Sequence, residues 1–69
     1  MIKQGEMVRV INNSECGRNK DIPIGTICYV ISSYNAEDEG DMVEIIPKDD
    51  LPYKGYGEYQ YPICDVTKA

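Results

Sequence analysis

Of the fifteen Val, Ile and Leu residues in this 69-residue chain, fourteen are Val or Ile; the exception is Leu51. β-Branched side chains lose χ1 freedom in a helix and pack well on a pleated surface. The runs that carry them are short and are broken by Gly, Pro, Asn and Asp. No window holds three turns of helical amphipathic period, so no substantial helix is expected. The length allows a single domain over residues 1–69 with one small core. No apolar run approaches the roughly 20 residues of a membrane-spanning helix. An all-β fold is the expectation.

Along the chain, Glu6-Met7-Val8-Arg9-Val10-Ile11 follows Gly5 and alternates, with Val8 and Val10 on one face and Arg9 on the other. Residues 12–21 form a polar loop containing Asn12-Asn13-Ser14 and Gly17. Thr26 to Ser33 is the longest β-run and nearly continuously apolar, which predicts a central strand covered on both faces. Pro23 lacks a donor and belongs before that strand, and Gly25 marks a turn into it. Tyr34 to Asp41 reads as an acidic turn, and Met42 to Ile46 as a third strand stopped by Pro47. Residues 48–57 are too broken by Asp, Pro and Gly for more than a turn. Glu58-Tyr59-Gln60-Tyr61 alternates again, and Pro62 interrupts it. Ile63 to Thr67 then gives one short helical turn and a closing strand. We read no linker, low-complexity tract or internal repeat. The predicted core is Val8, Val10, Ile27, Tyr29, Ile31, Val43, Ile45 and Ile63.

Five short strands with exposed edges are best accommodated by a small antiparallel barrel. The strand from Gly5 to Ile11, the loop after it, and Ile24-Gly25-Thr26-Ile27-Cys28-Tyr29-Val30-Ile31 resemble the opening of KOW and related SH3-like barrels. Val43-Glu44-Ile45 and Glu58-Tyr59-Gln60-Tyr61 resemble their third and fourth strands. The resemblance spans nearly the whole chain and implies a five-stranded SH3-like antiparallel barrel. It is similar to small proteins of bacterial or bacteriophage type, and a phage-encoded factor of this kind would act in the host cytoplasm. The chain departs from the family in being acidic, and from proline-binding SH3 domains in having no Trp.

Net charge is −5, with pI near 4.4. The seven Lys and Arg residues are scattered, so a phosphate-neutralising grip on DNA or RNA is disfavoured, as is an anionic membrane surface. With no His, the usual near-neutral acid–base group is missing, and a barrel this small leaves little room for a catalytic pocket. We therefore expect no enzyme, no catalytic residue and no cofactor. Cys16, Cys28 and Cys64 form no closely spaced pair, so no metal site is expected. Their odd number, and a beginning without an apolar signal core, fit a cytoplasmic protein. Cys28 reads as a small core residue, and Cys16, near Arg18 and Lys20, as a loop thiol. The acidic turn fails as a calcium loop, because Ile46 falls where the bidentate Glu belongs.

Tyr53, Tyr56, Tyr59 and Tyr61 fall within nine residues, interleaved with Gly55 and Gly57. Tyr gives large contact area at low entropic cost and is enriched at protein interfaces. The same rings would also serve to finish a core that lacks Phe and Trp, or to stack on bases. Glu37, Asp38, Glu39, Asp41 and Glu44 supply charge that would steer a basic partner. The expected function is a non-enzymatic protein-interaction module that binds and modulates a host protein through these tyrosines and acids. A nucleic-acid or ribonucleoprotein binder, an acidic decoy that also uses Asp49 and Asp50, and a small assembly subunit are the alternatives.

Overall fold

The computed structural model describes residues 2–13, 22–38 and 40–69. It is all-β: β1 (Met7–Val10), β2 (Ile27–Ala36), β3 (Gly40–Pro47), β4 (Tyr59–Pro62) and β5 (Val66–Lys68). Two single 3-10 turns interrupt them, Lys48–Asp50 after β3 and Ile63–Asp65 between β4 and β5. All five strands join one antiparallel sheet in the order β4-β3-β2-β1-β5. Among the described residues the ladder does not close on itself. Strands β4 and β5 are its two edges, linked by the Ile63–Asp65 turn.

The strand boundaries follow the local chemistry. Pro47 ends β3 where its missing N–H would leave a gap in a longer ladder. Pro62 closes β4, and the turn after it reverses the chain into β5. One segment differs from expectation. The acidic stretch after Tyr34 is not all turn, because β2 and β3 stay paired out to Ala36↔Gly40.

The structure also reveals an internal repeat at a spacing of 20, which the linear reading does not find. Residues 2–11 and 22–31 share Ile, Gly, Val and Ile at equivalent positions: Ile2/Ile22, Gly5/Gly25, Val10/Val30 and Ile11/Ile31. Each unit is a tight turn leading into a strand. Glu6 N donates to Lys3 O, and Thr26 N to Pro23 O, both at 3.1 Å. Gly5 (φ 93°) and Gly25 (φ 99°) hold the left-handed position these turns require. The bonds between units are reciprocal. Gly5 N donates to Val30 O and Val30 N to Glu6 O, while Gly25 N donates to Val10 O and Val10 N to Thr26 O. A pseudo-two-fold axis therefore passes between Val8 and Cys28, which sit directly opposite each other.

That register decides which face of β2 is buried. Directly opposed residues share a face, so Cys28 lies inward with Val8, and Val30 inward with Ile45. The core consists of Ile2, Val8, Val10, Ile22, Cys28, Val30, Val43, Ile45, Tyr61 and Val66, with Tyr59 and Ile63 packed against it. Ile27, Tyr29 and Ile31, expected in the core, are only half-buried. They occupy the other parity of a strand whose apolar character does not alternate. Ile31 is also the extra residue of a β-bulge, since Val30 faces Ile45 and Ser32 already faces Glu44. Val8, Val10, Val43 and Ile45 are buried as expected, and Cys28 is fully so.

Candidate functional site

The outer face of the sheet is also covered near the end of β3. Ile46, opposite Tyr29 and on the face away from Ile45, is buried. It lines a groove of about 410 Å³ together with Asp49, Asp50, Leu51, Pro52, Lys54, Tyr56 and Gly57. The 48–58 connection thus folds back beside the sheet instead of extending from it. Its Leu51–Pro52 bond is cis. Leu51 N donates to Lys48 O, tightening the first turn.

The four tyrosines of this region have separate places. Tyr56 is 70% exposed and stands at the groove. Tyr53 is half-buried, and its hydroxyl donates to Glu58 Oε1 at 3.1 Å. Partial desolvation, then that hydrogen bond and the Glu58 and Glu44 carboxylates, push its phenol above its ordinary value. Tyr59 packs against the core, and Tyr61 belongs to it. The Tyr61 hydroxyl accepts from Ile22 N at 2.8 Å and donates to Asn13 Oδ1. These two rings finish a core without Phe or Trp, and Tyr56 is the ring most available to a partner.

The acids separate in the same way. Glu37 and Asp38 are exposed at the tip of the β2–β3 hairpin, with Asp41 beside it accepting from Asn35 Nδ2 at 2.9 Å. Glu39 lies outside the described residues. Glu44 is half-buried at mid-strand, where Oε1 accepts from Ser32 Oγ at 2.8 Å and Oε2 from Gln60 Nε2 at 3.4 Å. It serves as a cross-strand acceptor joining β2, β3 and β4.

Sequence places the acidic tip and the tyrosine loop on either side of β3, and the fold puts them at its opposite ends. With eight residues in β3, they are separated by roughly 23 Å of strand. They do not form one patch. The groove brings together residues that the linear pattern did not group: Asp49 and Asp50 entered as charges of an acidic decoy, and Leu51 only as the exception to β-branching. The signal available was that lone Leu in a segment of turn formers.

The groove lies at the end of the sheet where β1 stops, β2 starts and β3 stops. The exposed side chains Ile11, Ile24 (62%), Leu51 and Tyr56 belong to segments at this end. A second hollow of about 350 Å³, lined by Thr26, Ile27, Pro47, Lys48 and Asp49, adjoins the first at Asp49. Among the described residues, no three Cys, Asp or Glu side chains converge as a metal site. No helix among the described residues is long and apolar enough to cross a membrane. No protein-family model, curated protein or solved structure gives a significant match to this chain.

Proposed function

We propose that this chain is a non-enzymatic protein-interaction module of SH3-like type that docks through the groove end of its sheet. The order β4-β3-β2-β1-β5, with one 3-10 turn between β4 and β5, supports the SH3-like reading. The observation that carries the interaction is that exposed Leu51 and Tyr56 line a formed groove, at the end of the sheet where the segments holding exposed Ile11 and Ile24 also lie. Exposed apolar side chains beside a groove are suited to contact, and an exposed Tyr there is a typical anchor. The tip acids Glu37 and Asp38, far from the groove, steer a basic partner from a distance.

Affinity capture with immobilised protein from a bacterial lysate tests the reading, with the captured protein then purified for surface-plasmon kinetics. Tyr56→Ala raises the off-rate, because an anchor is lost, and Glu37→Gln with Asp38→Asn slows association in a salt-dependent way. A captured protein bound with unchanged kinetics by Tyr56→Ala would place the interface elsewhere.

A further inference from the structure

We propose, resting on that interaction reading, that Ile24 is an interface residue and that the turn carrying it seats an uncharged, apolar side chain of a protein partner. The internal repeat supplies the comparison. Lys3-Gln4-Gly5-Glu6 and Pro23-Ile24-Gly25-Thr26 form the same turn, each closed by one backbone bond of 3.1 Å. Their burial matches position by position: Ile2 and Ile22 are buried, and the three residues after each are exposed. One turn meets water with Lys3 and Gln4, the other with Pro23 and Ile24, which is 62% exposed. Ile24 lies outside the core. The fold accepts a polar residue at this position, as Gln4 shows, so the isoleucine is not there to hold the turn. Apolar surface that the fold neither buries nor requires is suited to contact.

The segments around Ile24 decide what it contacts. Counting on from Arg9↔Ile27, Ile11 falls opposite Gly25, and Gly25 N donates to Val10 O at 2.7 Å. Ile11 is itself 46% exposed. Neither residues 10–13 nor residues 22–36 include a charged side chain. A charged group laid on this turn loses its water and finds no counter-ion on either segment, whereas an apolar one gains by burial. The net charge of −5 repels anionic lipid and a second copy of the chain alike. A different protein is the occupant that fits.

The test selects binders to the protein from a surface-displayed library of random heptapeptides, then titrates the enriched peptides into labelled wild type and variants by NMR. Ile24→Gln installs the residue that the matching turn already carries, so its thermal melt should follow wild type. The expected peptides share an apolar residue and shift the Ile11 and Gly25 amides. Ile24→Gln weakens them about tenfold, the scale of one lost anchor. Ile11→Gln weakens them too, and Gln4→Ile, the reverse exchange at the other end of the β1–β2 ladder, leaves them unchanged. A destabilised Ile24→Gln would show that the fold needs the isoleucine and overturn the proposal. Peptides that depend on Tyr56 but not on Ile24 would overturn it and leave the interaction reading standing, and no enrichment at all would overturn both. Peptides that meet Ile24 through a Lys, Arg, Asp or Glu would overturn the apolar assignment. Self-association, or binding to zwitterionic vesicles, that Ile24→Gln abolishes would assign the turn to a second copy or to lipid and overturn the protein partner.

Discussion

Replacing Val30 with Thr and, separately, Ile31 with Thr tests the inward face of β2 at two adjacent positions. Val30→Thr keeps shape and β-branching but exchanges a methyl group for a hydroxyl. Val30 is 0% exposed, and its N–H and C=O are both committed, to Glu6 O and from Gly5 N at 2.9 Å each. Its core neighbours are almost entirely aliphatic, so the new hydroxyl lacks a ready partner and costs about 1–3 kcal/mol. A domain of this length has roughly 3–10 kcal/mol in total. For chains of this size each kcal/mol shifts Tm by about 4–8 °C, which predicts a drop on the order of 4–24 °C. Ile31 is half-buried on the bulge, so Ile31→Thr loses a little apolar contact and places its hydroxyl within reach of water, for about 0.5 kcal/mol. Paired urea and thermal melts followed by circular dichroism measure both, with an unchanged m-value showing that stability alone has changed. If Ile31→Thr costs as much as Val30→Thr, or Val30→Thr is silent, the face assignment fails.

Three further outcomes are expected. Burial first, and the Asp50 carboxylate second, raise the Cys28 thiol from 9.0 to about 11. Its contribution is therefore whole below the unfolded thiol's pKa and is lost as pH climbs toward 11, by up to about 2–3 kcal/mol. Alkaline melts of wild type against Cys28→Ala check the loss, and an aromatic disulfide reagent at pH 8 should label exposed Cys64 long before Cys28. Tyr61→Phe leaves the Ile22 N–H without its acceptor, costing about 1–3 kcal/mol. Hydrogen exchange at Ile22 should accelerate in that variant, and unchanged protection would contradict the role given to the hydroxyl. Glu6 is held below its ordinary 4.5 chiefly by the Lys3 N–H, with Lys68 adding to it. Its contribution is present above 4.5 and lost as pH falls through the lower folded value. Acid titration of Glu6→Gln should show a shallower loss of stability than wild type.

Where local chemistry decides structure, the chain is readable from its letters. Arg9 between Val8 and Val10 fixes the face of β1, and Pro62 followed by Ile-Cys-Asp marks the last turn and strand. Where structure depends on a partner far along the chain, the letters are ambiguous. Residues 27–31 are apolar at nearly every position, and only pairing with β1 assigns Cys28 and Val30 inward. The repeat at a spacing of 20 is hidden because Lys3-Gln4 and Pro23-Ile24 form the same turn with different chemistry, and Val8 is matched by Cys28. The tyrosine-rich stretch indicates the right connection, but its spacing does not separate Tyr56 at the surface from Tyr61 in the core. That distinction belongs to the β3–β4 register, which sets Tyr61 opposite Val43. Asp49 and Asp50 are visible as charges, whereas the groove they line exists only once the connection folds beside Ile46.

Strands β1 and β5 carry the two ends of the chain and run antiparallel, with Val8 opposite Lys68 and Val10 opposite Val66. The segments outside them therefore leave the sheet at the same end, where Ala69 N donates to Met7 O at 3.1 Å. A tensile load applied at Met7 and Ala69 meets this ladder one hydrogen bond at a time, as a zip opens, and does not shear several bonds together. The Ala69–Met7 bond is loaded first, and the peak force is set by the strongest single rung and not by the sum of the ladder. The β1–β5 ladder is therefore mechanically compliant to a load in that direction, regardless of how well the core resists heat.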